Sequence, residues 1–216
     1  MKFETILFDC DGVLVDSEPS NGVLCTMLNE AGWAISAQDC MEIFIGKTVR
    51  SEAARIQKRT RPAAHRRLDG PVLRPPQMPD CKARLQAIAG AVDAVRRARA
   101  ARQPHRLRLG QTGERWRCTT RPRWAWPATL ATAFSAATKC PASPRLMYLA
   151  AAAAEGRPAR CLVVEDTVTG VTAGVAAGAT VVGYSPSSVG HSSPEALRAA
   201  AVRVIADMAL LPALLA

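Results

Sequence analysis

The chain lacks any stretch both long and uncharged enough to cross a membrane as a helix, which excludes an integral helical membrane protein. Its first residues lack the basic, apolar and small-residue succession of an export leader, so a cytoplasmic setting is expected. Paired Cys-x-x-Cys spacing is missing as well. The seven cysteines are scattered at positions 10, 25, 40, 81, 118, 140 and 161. An odd number of thiols without a leader points to reduced cysteines rather than to a disulfide framework. Length is not scarce: 216 residues suffice for a sizeable core, as one domain or as a domain with a small insertion.

Acidic residues are sparse in one region only. The formal charge is +10, yet residues 55–123 alone carry 17 Arg and 2 Lys against Asp69, Asp80, Asp93 and Glu114. That is +15 locally, which leaves the rest of the chain at about −5. Trp116, Trp124 and Trp126 sit among these arginines, where they could stack on the bases of a nucleic acid. A charge run with aromatics is a weak signal, more often a solvated stretch, and a nucleic-acid partner is not expected.

What the chain does have begins at once. Thr5-Ile6-Leu7-Phe8 is a short apolar run that reads as a strand buried on both faces, the habit of parallel sheets. It ends in Asp9-Cys10-Asp11-Gly12. In extended chain alternate residues share a side, so Asp9 and Asp11 converge beyond the strand's carboxyl end, where open α/β sheets bind ligands. Two carboxylates so close repel each other, and a shared proton or a bound cation relieves this. Cys10 between them faces away, into the packing.

Asn21–Trp33 carries Val23, Leu24, Met27 and Leu28 at helical spacing, with Gly32 to close the helix and Ser17 or Ser20 to cap it. Ser36–Ile45 reads as a second helix, Gly46-Lys47-Thr48 as a turn, and a further helix starts through Ala53, Ala54 and Ile56. A helical insertion directly after the first strand is therefore expected. From Lys58 to Pro144 prolines interrupt nearly every candidate element. Only Ala83–Ala101 reads as helical there, with Leu85, Ile88, Val92 and Val95 on one stripe.

Order returns with an alanine-rich helix over Tyr148–Ala154. Cys161-Leu162-Val163-Val164 is a second buried strand, and it too ends in acid, Glu165-Asp166. Thr167 can cap the next helix, whose Val168, Val171 and Val175 and small residues allow close approach to a sheet. Gly178 stops it and Ala179–Tyr184 is the next strand, giving a βαβ unit. A helix over Pro194–Ala201, a strand over Val202–Ile205 and a closing helix over Met208–Leu215 follow.

The run from Phe8 to Glu18, taken with Val164-Glu165-Asp166-Thr167 and Gly170, resembles the haloacid dehalogenase (HAD) superfamily. Within it the chain is most similar to phosphatases and phosphomutases with a helical cap after the first strand, such as phosphoglycolate phosphatase, β-phosphoglucomutase and sugar-phosphate phosphatases. The resemblance covers residues 1–56 and 148–216. It implies an α/β fold, a Rossmann-like three-layer sandwich with a parallel sheet, with the core in residues 1–16 and 85–216 and the cap in 17–84. It also implies a magnesium-dependent phosphomonoester hydrolase, expected to be a monomer, whose substrate is a small phosphorylated metabolite of the sugar phosphate or phosphoglycolate type.

The same resemblance assigns roles. Asp9 would attack phosphorus to give an aspartyl-phosphate, and Asp11 would protonate the leaving alkoxide and later activate water. Asp11 favours phosphoryl transfer over dehalogenation, because a halide leaves without a proton. Mg2+ would be held by Asp9, the backbone carbonyl of Asp11 and Asp166, with Glu165 beside it. Without the first motif, Glu165-Asp166 would read better as an acidic pair serving a helix dipole. The alternatives are a phosphomutase of the same family, or a catalytically impaired homologue whose Arg-rich middle binds nucleic acid.

The family also grips phosphate with a Ser or Thr after the next core strand and with a Lys before a Pro-x-Pro-Asp-like turn. Neither is found in frame, and Thr112 and Lys139 read as ordinary exposed side chains. Residues Pro141 to Met147 can, however, be encoded so that a reading two bases on gives Gly-Lys-Pro-Ala-Pro-Asp, the missing lysine motif. Much of residues 58–147 is accordingly read as an out-of-frame translation of a GC-rich gene, which accounts for its excess of Arg, Pro and Trp. Sequencing the gene checks this: the lysine string is expected in the shifted frame, and codons unable to yield it end the idea.

Overall fold

A computed structural model of the chain describes residues 3–16, 18–44, 52–61, 86–100, 157–186, 192–200 and 203–215. Ser17, the Gly46-Lys47 turn, Thr112, Lys139, the three tryptophans of the Arg-rich segment and the helix expected over Tyr148–Ala154 lie outside these. In chain order the first elements are β1 (Thr5–Phe8), β2 (Val15–Asp16), α1 (Glu18–Glu30), α2 (Ala37–Phe44) and α3 (Ala53–Arg59). There follow β3 (Gln86–Ala87), α4 (Ala91–Ala100), β4 (Cys161–Glu165) and α5 (Val168–Ala176). The chain continues with β5 (Thr180–Tyr184), α6 (Pro194–Arg198), β6 (Arg203–Ile205) and α7 (Leu211–Leu214). Two compact units result, one of Met1–Asp16 with Ala87–Ala216 and the other of Ser17–Gln86.

The first unit is an α/β sheet domain. Among the described residues its sheet has four strands in the order β1-β4-β5-β6, and their pairings are parallel. Both β1 and β4 are buried along their whole length, as continuous apolar runs in a parallel sheet must be. One face of the sheet sets Leu7, Val163 and Val181 against Val171, Ala173 and Ala177 of the α5 region and Leu197 of α6. By strand alternation Ile6, Phe8, Leu162 and Val164 point to the opposite face, and each is at most 2% exposed. Burial of one such side chain contributes about 1.5–3 kcal/mol, so both faces hold the sheet.

Helix α5 approaches the sheet more closely than its valines suggest. Val168 and Val175, expected to face inward, are 38% and 45% exposed, and the buried residues are Gly170, Val171, Ala173 and Gly174. A Cβ on Gly174 would stand 2.9 Å from Val181 Cγ2, so the approach is set by the absence of a side chain. The helix starts at a Thr167 cap and ends before Gly178, which has φ +81°. The helix expected over Ala83–Ala101 begins only at Ala91. Gln86–Ala87 is extended and Gly90 adopts φ +75°, a left-handed turn that breaks any helix running through it.

The second unit contains α1, α2 and α3 around Leu24, Leu28, Ala31, Trp33, Cys40, Phe44 and Ile56. Trp33 and Phe44 meet at 6.3 Å between ring centroids in a tilted pair. The turn between α1 and α2 is held by Asn29, whose amide donates to the Ile35 carbonyl at 2.9 Å and whose Oδ1 accepts from the Ile35 N–H at 3.2 Å. Ser36 caps α2, accepting from the Asp39 N–H at 3.0 Å. Ser20, considered as a cap for α1, lies inside that helix instead, because α1 already starts at Glu18. A cleft of about 550 Å³ in this unit is lined by Trp33, Ile35, Asp39, Ile43, Arg55 and Arg59.

Truncation of Trp33 removes the largest member of this cluster. Trp33→Ala is expected to lower unfolding free energy by about 3–5 kcal/mol. Chemical denaturation measures the loss, and hydrogen exchange is expected to place it in α1 and α2.

Candidate active site

The register of β1 on β4 builds the site. Phe8 pairs with Val164, and the Asp9 N–H extends the ladder by donating to the Val164 carbonyl at 2.9 Å. Each strand then turns acidic, so Asp9 and Glu165 leave the sheet side by side and Asp166 follows. One carboxylate oxygen from each of Asp9, Glu165 and Asp166 lies within 4.8 Å of the other two. Glu165 and Asp166 are buried, at 5% and 4% exposure, and Asp9 is half-buried. Asp11 is not one of the three; it stands in the turn that follows Asp9.

That turn is rigid for identifiable reasons. Gly12 has φ +78°, a left-handed conformation that side chains disfavour, and its N–H donates to the Val15 carbonyl at 2.8 Å. The N–H groups of Leu14 and Val15 both donate to the Cys10 carbonyl, at 3.0 and 2.9 Å. Cys10, Val13 and Leu14 are buried and anchor the turn in the core, leaving the Asp9 and Asp11 positions at its rim.

The opposite wall is tied together through Glu165. Its Oε2 accepts from the Asp166 N–H at 2.9 Å, the Thr167 N–H at 2.9 Å and the Thr167 hydroxyl at 3.0 Å. The Thr167 hydroxyl also accepts from the Gly170 N–H at 3.1 Å, which caps α5. Glu165 lies flat against Gly170, where a Cβ would come within 2.0 Å of the carboxylate carbon. Glu165 therefore does two things: it presents an oxygen to the acidic cluster and it satisfies donors at the start of a helix. Sequence reasoning missed a further tie, from Ser192. Its N–H donates to the Asp166 carbonyl at 3.2 Å, its hydroxyl accepts from the Val168 N–H at 3.2 Å, and its carbonyl accepts from the Ser185 hydroxyl at 3.1 Å. The only sequence signal was a serine-rich loop at the carboxyl end of a strand.

Like charges gathered out of water perturb one another. Burial, then the neighbouring Glu165, Asp166 and Asp11 carboxylates, hold the Asp9 carboxyl well above the usual carboxylate range, against a smaller opposing pull from the Cys10 backbone N–H. The Tyr184 phenol at the end of β5 is pushed up by burial first, then by Asp207 and Asp166. Such a cluster could hold a metal ion. Opposite ligands of an oxygen-coordinated divalent cation stand about 4–5 Å apart, and three hard carboxylate oxygens within 4.8 Å match that span.

Acidic residues from the carboxyl ends of adjacent parallel strands are the mark of an α/β enzyme whose site lies at the rim of its sheet. The sequence pattern of the haloacid dehalogenase-like hydrolases matches residues 3–178, and the chain belongs to that family. No curated protein matches it in sequence. Among solved structures, a HAD family hydrolase from Deinococcus radiodurans with bound phosphate and sodium is 27% identical, with TM-score 0.67, covering 99% of this chain and 95% of that one. A haloacid dehalogenase-like protein of unknown function from Agrobacterium tumefaciens is also 27% identical, with TM-score 0.72 and coverage of 99% and 97%. A CbbY variant from Rhodobacter sphaeroides in complex with xylulose-(1,5)bisphosphate shares the fold at 18% identity, with TM-score 0.71 and coverage of 96% and 95%.

The raised Asp9 value fixes the sign of a pH effect. Between the ordinary 3.8 and the raised value of the folded state, the folded protein keeps a proton that the unfolded chain has lost. Stability of the metal-free protein is therefore expected to fall as pH rises through that window. A divalent cation should raise the melting temperature more at neutral pH than in mild acid, and Asp9→Asn should flatten both responses. Thermal denaturation across pH with and without Mg2+ measures this.

Proposed function

We propose that this hydrolase is a magnesium-dependent phosphatase that cleaves the phosphomonoester of a small phosphorylated metabolite, of the sugar phosphate or phosphoglycolate type. The observation that carries the reading is the convergence of Asp9, Glu165 and Asp166 at one strand-end site, with Asp11 two residues from Asp9. The phosphate bound to the Deinococcus radiodurans relative and the sugar bisphosphate bound to the Rhodobacter sphaeroides protein support the substrate class.

Asp9 is the nucleophile in this reading. Its carboxylate oxygen forms a bond to phosphorus while the phosphorus–alkoxide bond breaks, and Asp11 gives its proton to the leaving oxygen. Asp11, now a carboxylate, takes a proton from water as the water oxygen attacks phosphorus and the bond to Asp9 breaks. Free phosphate and the original carboxylate result. Asp9, Asp166 and the backbone carbonyl of Asp11 would hold Mg2+, with Glu165 beside them; when bound, the ion offsets repulsion between the anionic nucleophile and the phosphate. Glu165 and Thr167 hold Asp166 in place through the loop they tie.

The Ser or Thr and the Lys that should grip phosphate are not assigned, and basal activity is expected to be weak if the written sequence of residues 58–147 is the true polypeptide. A screen of phosphate release over sugar phosphates and phosphoglycolate tests the reading. Release is expected to require Mg2+, to stop with a chelator, and to fall by about 10²–10⁴-fold in Asp11→Asn. Asp9→Asn is expected to abolish it. Release that survives Asp9→Asn would overturn the assignment. Restoring the shifted frame should raise the rate without changing its metal dependence.

A further inference from the structure

We propose that Ser192, with Ser185 behind it, is a positioning residue that fixes the backbone of Asp166 and so sets how tightly the protein holds Mg2+. This deepens the phosphatase reading and rests on it, since Asp166 matters here as a metal ligand. The φ and ψ of a residue are set by the peptide planes on either side of it, and a carboxylate is aimed only when both are held. At Asp166 both are. The plane before it is held by the Asp166 N–H, which donates to Glu165 Oε2 at 2.9 Å. The plane after it is held at both polar ends: the Thr167 N–H donates to the same oxygen at 2.9 Å, and the Asp166 carbonyl accepts from the Ser192 N–H at 3.2 Å. Glu165 belongs to the same segment as Asp166, whereas Ser192 ties that segment to a different strand.

Ser192 can do this because its own place is fixed twice more. Its hydroxyl accepts from the Val168 N–H at 3.2 Å, a first-turn amide of α5 with no carbonyl one turn back to serve. Its carbonyl accepts from the Ser185 hydroxyl at 3.1 Å. Ser185 is buried at the end of β5, and its N–H donates to the Ile205 carbonyl of β6 at 2.9 Å. Hydrogen bonds therefore run from β6 through Ser185 and Ser192 to Asp166 and Val168, one on each side of Thr167. The N–H of Ser192 would survive replacement by alanine, but the hydroxyl that registers it against α5 would not. Outer partners of metal ligands govern affinity through this kind of orientation. Ser193, the next residue, serves another end, accepting from the Ala196 N–H at 3.2 Å to cap α6.

The test titrates the full-length protein with Mg2+ by isothermal calorimetry, without substrate, and reads amide hydrogen exchange over residues 165–170. Ser185→Ala/Ser192→Ala is expected to weaken Mg2+ binding by about 10-fold, and Ser192→Ala alone by less. Exchange at Asp166, Thr167 and Val168 should rise with the loss of affinity. Ser192→Thr keeps a hydroxyl and is expected to keep wild-type affinity. Ser193→Ala removes a neighbouring helix cap and should lower the melting temperature without changing Mg2+ binding. Wild-type affinity in both Ser192→Ala and the double variant would overturn the proposal. An equal loss in Ser193→Ala would overturn it too, since that marks general loosening. Should the double variant fail to fold, the contrast between Ser192→Ala and Ser192→Thr decides. A wild-type protein that binds no Mg2+ would overturn the metal reading itself, and this inference with it.

Discussion

The structure depends on a single alignment, that of β1 against β4, which are separated by more than half the chain. Two apolar strands buried on both faces fix their relative height through side-chain packing, since a slip by one residue would reverse every side chain. That height decides the chemistry. Because Phe8 faces Val164, the residues just past each are both acidic, and three carboxylates collect with two of them buried and Asp9 half-buried. The packing energy of the sheet is what holds together groups that would otherwise separate.

The repulsion is contained by short connections on both sides. The Cys10 carbonyl gathers two N–H groups and buries the turn below Asp9. Across the gap, one oxygen of Glu165 takes three donors and thereby shapes the loop carrying Asp166. The Ser185 to Ser192 contact adds a brace from the loop after β5. Each wall is thus rigid by hydrogen bonding within its own segment, and the sheet register joins them. A divalent cation fits this design as the component that neutralises charge the protein has assembled but not balanced.

Much of this was legible in the residues. Thr5–Phe8 and Cys161–Val164 read as buried strands because each is a continuous apolar run, and their acidic ends announced a site. Thr167 as a cap and Gly178 as a stop rested on local backbone chemistry and hold in the structure. Other expectations gave way to packing. Of the residues expected to let α5 approach the sheet, Val168 and Val175 turn outward, while Gly170, Val171, Ala173 and Gly174 are buried against it. The helix drawn through Gly90 ignored that a glycine can take a left-handed turn, and Ser20 was offered as a cap inside what became α1. Ser192 could not be found by pattern, since its role depends on a loop returning to β4 from another strand. The Arg-rich middle was legible only as an anomaly of composition, because neither its prolines nor its tryptophans follow a helix or strand period.

The distance along the chain between β1 and β4 has a consequence for synthesis on the ribosome. Thr5–Phe8 emerges well before its described neighbour, Cys161–Glu165, which is translated some 150 residues later. At about 5–20 residues per second that interval is roughly eight to thirty seconds. During it a largely apolar strand waits without that partner, while α1 to α3 need only nearby residues to assemble. The helical unit can therefore form first and keep the nascent amino-terminal segment company with folded structure, and the chain becomes most vulnerable to self-association in the period before β4 is made.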